Sequence, residues 1–177
     1  MSEKTVILNA SAIHRVLTRM AHEIAERNDD SRALAIVGVQ RGGIHLAERL
    51  GGLLQSIFNH AVPIGRVDVS MHRDDLGRHA APNVQPTVIP FDLTHKTVVL
   101  VDDVLFSGRT TRAAMDALND FGRPRRVQLA VLIDRGHREL PIKADFVGKN
   151  VPTALQERID VQLRETGGED AVCLERK

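Results

Sequence analysis

The chain has a single cysteine, Cys173, among its 177 residues, so it holds no internal disulfide and no cysteine-cluster metal site. A reducing, cytoplasmic setting fits that usage. There is no Trp and no Tyr, and only five Phe. A protein that grips single-stranded nucleic acid by stacking bases on aromatic rings needs more rings than this. The formal net charge is only +1 at pH 7, which is not the electrostatic footprint of a general nucleic-acid binder. Any RNA role must therefore rest on local charge and shape. No stretch approaches the run of about 18 apolar residues that a membrane span requires. Residues 1–5 show no basic lead-in to a long apolar stretch, so neither a secretory signal nor a membrane partner is expected. Neither the G-x-x-x-x-G-K-[ST] spacing of a Walker loop nor a G-x-G-x-x-G fingerprint occurs.

What is present is the composition of an ordinary globular protein, 42% apolar and 27% charged. Its length suits one domain, residues 1–177, with a substantial core. Residues 11–28 have the spacing of an amphipathic helix, with Ile13, Val16, Leu17, Met20, Ile24 and Ala25 on one side and Ser11 as N-cap. Residues 33–39 form a short apolar run, as buried parallel strands do, and helical spacing resumes over 44–54. Alternation over 64–71 predicts a strand. The polar stretch 72–86, with Arg73, Asp74 and Asp75, predicts an exposed loop. Strands are predicted at 97–101 and 127–133, and a helix over 109–121 that Gly122 and Pro124 stop. Shorter strand-like pieces follow at 145–147, 159–163 and 171–174. Strands alternating with helices predict an α/β fold, a mostly parallel twisted sheet with helices on both faces. Ligands of such sheets bind at the carboxyl ends of the strands, which directs attention to two loops.

In segment 98–113 two adjacent carboxylates, Asp102 and Asp103, sit where an apolar strand emerges, and Ser107, Gly108, Arg109, Thr110 and Thr111 then open a helix. Free backbone amides at a helix N-terminus, flanked by hydroxyls, suit a phosphate. The like charges of the carboxylates repel, so a ligand bringing ribose hydroxyls and a magnesium-bound pyrophosphate would relieve them. The second loop, residues 38–43, joins a strand to a helix through Gln40, Arg41, Gly42 and Gly43. Its glycines allow close backbone approach, and Arg41 offers charge to an anion.

An apolar strand, Asp102-Asp103, the residues Val104, Leu105 and Phe106, then Ser107, Gly108, Arg109 and Thr110 resemble the motif that binds 5-phosphoribosyl 1-pyrophosphate (PRPP) in type I phosphoribosyltransferases. The resemblance implies that Asp102 and Asp103 contact the ribose hydroxyls and that Phe106 to Thr110 wrap the 5-phosphate. It further implies that the 38–43 loop takes the pyrophosphate, with Gln40–Arg41 able to be cis, and that the fold adds a small hood from the chain-terminal segments. Over nearly its whole length the chain is similar to one family among these, the PyrR family of bifunctional pyrimidine-operon regulators and uracil phosphoribosyltransferases. The similar residues run from Ala12 through Asn28, over 73–76 and 115–118, and through the distinctive Asp134-Arg-Gly-His-Arg-Glu-Leu-Pro141 to Thr153.

That resemblance implies conversion of uracil and PRPP to UMP and pyrophosphate, with Mg2+ held mainly by PRPP and water and Arg41, Asp102 and Asp103 as catalytic residues. Phe106 stands where purine-using relatives carry an Asp that handles the purine N7 proton. A phenyl ring cannot accept a proton, so a pyrimidine is favoured. Asp134, Arg135 and Ile159 match positions that frame the base, and 72–86 matches a lid. Thr18, Arg19, His22 and Arg27 match residues that bind the leader mRNA of a pyrimidine biosynthesis operon in response to UMP. A homodimer or homotetramer is expected. An enzyme without RNA binding, and a nucleotide-sensing regulator with weak catalysis, remain open at this point, as does a purine substrate. Residues 123–143 form a locally basic stretch that includes Arg123, Arg125, Arg126, Arg135, Arg138 and Lys143.

Overall fold

The layering follows from one strand, β4 (Thr97–Leu105). In the computed structural model of the chain, which describes residues 3–74 and 84–176, Val99 and Val101 face one core layer while Val98 and Leu100 face another. Both faces of the strand are buried, so it reads in sequence as a continuous apolar run without alternation. With β2 (Leu34–Val39), β3 (Ile64–Val67), β5 (Arg126–Asp134) and β6 (Phe146–Asn150) it forms a five-stranded sheet in the order β3-β2-β4-β5-β6. Every neighbouring pair is parallel.

Helices α1 (Ala10–Arg27) and α2 (Ile44–Phe58) cover one face through Ile13, Leu17, Met20, Ile24, Leu46, Leu50 and Leu54. Helix α3 (Arg109–Leu118) covers the other through Ala113, Ala114, Ala117 and Leu118. β2 and β4 are adjacent, yet the chain leaves β2 toward the α2 face and β4 toward the α3 face. Divergence of this kind opens a crevice at the carboxyl ends of the two strands. The chain ends supply a second, antiparallel sheet, β1-β8-β7, from β1 (Glu3–Asn9), β8 (Ala171–Arg176) and β7 (Arg158–Gln162). Arg49 of α2 clamps it to the body, reaching Glu165 at 2.6 Å and Asp170 at 2.8 Å.

The α/β fold class and the helices agree with the sequence reading, but several boundaries do not. α1 is capped by Asn9 rather than Ser11: the Asn9 side chain accepts from the Ala12 amide at 2.9 Å, and the Ser11 hydroxyl instead accepts from Arg15. β3 stops at Val67 because Asp68 turns the chain, its carboxylate accepting from the Ser70 amide at 2.8 Å and from the Gln85 amide. α3 ends at Leu118, and residues 119–121 tighten into a 3-10 turn before Gly122, whose φ of 130° only glycine adopts readily. β1 was not anticipated. Its Glu, Lys and Thr side chains are exposed and leave too short an apolar stretch to register.

The corrected cap is testable by thermal melting. Asn9→Ala should cost about 1 kcal/mol, lowering Tm by about 2–4 °C for a chain of this size. Ser11→Ala should move it by less than about 0.5 kcal/mol, as surface changes do. The reverse order would return the cap to Ser11.

Candidate active site

β4 does not end before its acids. Asp102 pairs with Val131 and Val104 with Ile133 on β5, so the strand runs to Leu105 instead of stopping at residue 101. Both carboxylates are thus fixed by sheet pairing. Asp102 is only 8% exposed and Asp103 is half-buried. Asp102 accepts the Asp103 amide at 2.9 Å, and Asp103 accepts the Val104 amide at 2.7 Å. Burial, and then the Asp103 charge, push the Asp102 carboxyl well above the usual carboxylate range; burial raises Asp103 as well. Hydroxyl donors or a cation brought by a ligand would lower that cost.

The turn after β2 comes up against this pair. The Gln40–Arg41 peptide is cis, as the resemblance implied. A Cβ on Gly42 would overlap the Asp103 carboxylate, and one on Gly43 would overlap the Val101 carbonyl, so neither position accommodates a side chain. Arg41 is exposed and, with Gly42, His45, Asp103, Val161, Leu163 and Thr166, lines a recess of about 250 Å³ beside the second sheet. The Gln40 side-chain amide donates to the Pro86 carbonyl at 2.8 Å, tying the turn to the far end of the 72–86 loop.

Beyond β4, Phe106 and Ser107 lead to Gly108, whose φ is 91°. Gly108 is the N-cap of α3 and offers no side-chain acceptor to the amides of the first turn, an arrangement that suits an anion. The Ser107 hydroxyl accepts only a long 3.3 Å bond from the Arg109 amide. Thr110 sits half-buried in that first turn. The Arg109 guanidinium does not wrap this turn. It bonds Glu139 at 2.6 Å and Asp74 at 2.5 Å, because two carboxylates match its planar fork. Arg112 adds a 3.2 Å contact to Asp74. The near end of the 72–86 loop is thus fastened to α3, with Arg73 half-buried beside Asp74. Asp75, and the whole of 75–83, lie outside the described residues.

On the other side of Phe106, the Arg135 guanidinium stacks 4.2 Å from the ring centroid and the His137 ring meets it edge-on at 6.0 Å. Arg135 is buried, which pulls its pKa down, and it donates to the Thr153 hydroxyl at 3.0 Å and the Ala154 carbonyl at 3.1 Å. Asp134, Arg135, Gly136, His137, Arg138, Asn150, Pro152 and Thr153 line a second recess of about 420 Å³. Ile159 lies on β7 and packs against the α1–α2 core layer. Asp134 and Arg135 therefore come together with Phe106, whereas Ile159 belongs to a different element.

Sequence reasoning missed Arg138, which donates to the Phe106 carbonyl at 2.9 Å, to the Ile142 carbonyl at 2.8 Å and to Asp134 at 2.5 Å. The distinctive 134–141 string was its only signal. The basic stretch 123–143 is not one patch: Arg135 and Arg138 are committed to the site, while Arg125 and Arg126 lie at the amino end of β5, where Arg125 bonds Thr97. Thr18, Arg19, His22 and Arg27 all lie on α1. Arg19 is held by Glu23 at 2.7 Å and the Gly148 carbonyl at 2.6 Å, and Arg27 by the Asp145 carbonyl and the Phe146 ring face. His22 is exposed; Thr18 is half-buried and donates to the His14 carbonyl.

Residues 5–158 match the phosphoribosyl transferase domain family. A protein of Roseiflexus sp. named Bifunctional protein PyrR is 60% identical over 178 residues, covering 99% of this chain and 97% of that protein. Another of that name from Chloroflexus aurantiacus is 56% identical over 175 residues, covering 98% and 96%. Among solved structures, a Trypanosoma cruzi hypoxanthine phosphoribosyl transferase superposes with a TM-score of 0.75 at 20% identity, covering 97% of this chain and 91% of that one. A hypoxanthine-guanine phosphoribosyltransferase of Bacillus anthracis gives 0.72 at 17% identity, covering 95% of each chain. At those identities the two structures speak for the fold.

The raised carboxyls have a consequence for stability. Burial raises both carboxyls, so the folded chain binds protons there more tightly than the unfolded chain, whose acids titrate near the ordinary value of 3.8, and stability is lost as pH rises from there through the folded values. Asp102→Asn should therefore melt above the unaltered chain at pH 7.5, and the gap should close toward pH 4. A variant that melts lower at pH 7.5 would show that the buried charge is compensated.

Proposed function

Because the chain belongs to the PyrR family within the phosphoribosyl transferase fold, we propose that it transfers the phosphoribosyl group of PRPP to uracil, and that it also binds the leader mRNA of a pyrimidine biosynthesis operon when UMP is present. The observation that carries the enzymatic half is the meeting of the Asp102–Asp103 pair, the Gln40–Gly43 turn and the uncapped start of α3 in one crevice between β2 and β4.

In this reading the amides of 107–110 bind the 5-phosphate, Asp102 and Asp103 accept from the ribose hydroxyls, and Arg41 faces the pyrophosphate. The bond from ribose C1 to pyrophosphate breaks, the bond from C1 to uracil N1 forms, and the N1 proton leaves. Positive charge grows on the ribose ring as pyrophosphate departs, so the work of the site is alignment and charge stabilisation. The Asp pair supplies negative charge beside that ring, and Arg41 balances the leaving group. Two buried, mutually repelling carboxylates also fit a ligand that arrives with a cation. Mg2+ held by PRPP and water beside Asp102 and Asp103 would neutralise pyrophosphate charge. Phe106, pinned between Arg135 and His137, offers the base a ring where a purine would need an acceptor. Asp74 and Pro86, the described ends of the 72–86 segment, are held to α3 and to the Gln40 side chain, positions from which a lid could keep water from an activated sugar.

UMP formation from uracil, PRPP and Mg2+ should be measurable, and hypoxanthine and guanine should be poor substrates; equal or better purine turnover would sink the base assignment. Asp103→Asn should cripple turnover with the fold intact, since it exchanges a charge-assisted acceptor for a weaker one. Near-normal activity in that variant would remove Asp103 from the ribose contact.

For the regulatory half, α1 presents Thr18, Arg19, His22 and Arg27, and pairing of two subunits would double that small surface. With few aromatics available, the grip falls to phosphates, hydroxyls and base edges. One observation favours the rival reading of an enzyme without RNA binding: Arg19 already braces α1 against the Gly148 carbonyl of β6, and Arg27 against the Asp145 carbonyl just before that strand. A gel-shift titration with the organism's own pyrimidine-operon leader separates the two. Arg19→Gln should weaken leader binding, reduce the log–log salt slope by about 1 and leave uracil turnover unchanged. UMP should tighten the unaltered complex. Equal affinity for an unrelated hairpin, indifferent to UMP and to Arg19→Gln, would leave the enzyme alone.

A further inference from the structure

We propose that Arg138, outside the PRPP motif, is the positioning residue that orients the amides of the 5-phosphate turn. The proposal rests on the PRPP reading above and deepens it. In a trans peptide the carbonyl of one residue and the amide of the next point in opposite directions. Arg138 donates to the Phe106 carbonyl at 2.9 Å, which turns the Ser107 amide to the far side of that peptide. The Ser107 carbonyl in turn accepts from the Glu139 amide at 2.9 Å and the Leu140 amide at 3.2 Å, which turns the Gly108 amide away likewise. With Gly108 at a φ of 91°, these consecutive amides form a concave row of the sort that holds an anion. Gly108 also lies close against Leu140 and Ile142: a Cβ added to it would stand 3.3 Å from Ile142. The 138–142 segment is thus the outer wall on which the turn is shaped.

Arg138 suits this role because all three of its nitrogens are committed at once. Nε donates to the Ile142 carbonyl at 2.8 Å, one terminal nitrogen to Phe106 and the other to Asp134 at 2.5 Å. Its side chain is only 23% exposed. The pair with Asp134 anchors it to the end of β5, so the turn's geometry is referred back to the sheet. A lysine has the charge but not the planar fork, and could not hold the three acceptors together.

The 5-phosphate is remote from the reacting bond, so disordering its amides should weaken PRPP binding far more than uracil binding. In steady-state assays of the full chain, Arg138→Met and Arg138→Lys should each raise the KM for PRPP by about tenfold, the scale of one lost charge-assisted bond. The KM for uracil should stay within about twofold. Ribose 5-phosphate, titrated calorimetrically, should lose affinity in step with PRPP. A merely structural role would lower Tm and degrade both substrates together. An unchanged PRPP KM and ribose 5-phosphate affinity in the folded variants, or equal losses for both substrates, would overturn the proposal. Should Arg138→Met not fold, Arg138→Lys alone decides. If the unaltered chain makes no UMP, it is the functional reading that fails, and the ribose 5-phosphate titration still judges Arg138.

Discussion

The approach of the Gln40–Gly43 turn to the end of β4 constrains everything around it. Gly43 lies under the Val101 carbonyl and Gly42 against the Asp103 carboxylate, with no space for a Cβ at either position. Two neighbouring strands that send their helices to opposite faces can then keep their loops in contact, with only backbone between them. The acids are held inside the strand by pairing with β5, in surroundings that raise their pKa. A fold does not retain two such groups side by side for stability. Their cost becomes intelligible when a ligand supplies donors and positive charge at that spot, which is what a sugar diphosphate with its cation brings.

Around this centre the remaining parts are fastened through polar contacts that cross long stretches of chain. Asp74 and Pro86 fix the two ends of the 72–86 loop, one to α3 and one to the Gln40 side chain. Arg135 and Arg138, three residues apart, work on opposite sides of Phe106, the first through the ring and the second through the carbonyl. The base side and the phosphate side of the crevice therefore share one short segment. A change in Arg135 acts first on the ring that faces the base, and a change in Arg138 on the turn that faces the phosphate.

The buried strands and the apolar stripe of α1 were legible because burial leaves a periodicity that hydropathy reports. The two ligand loops were legible because acids after an apolar strand, and glycines between a strand and a helix, have few other uses together. What was not legible depends on geometry between distant positions. Asn9 and Ser11 are both good caps, and only the entry of the chain from β1 selects the first. Asp102 and Asp103 mark a strand end in hydropathy, but ladder bonds to β5 carry the strand past them. Nothing in the string of residues 134–141 says that the second arginine reaches a carbonyl 32 positions earlier. Nor does the motif say that the Arg109 guanidinium bonds Glu139 and Asp74, 30 and 35 positions away.

The most direct measurement is a crystal structure of the chain with PRPP and Mg2+. The 5-phosphate should lie against the amides of residues 107–110, the ribose hydroxyls on Asp102 and Asp103, and the pyrophosphate beside Arg41. A ligand seated with its phosphate elsewhere, or with its ribose hydroxyls turned away from both carboxylates, would contradict the central claim that the buried acid pair exists to receive the sugar.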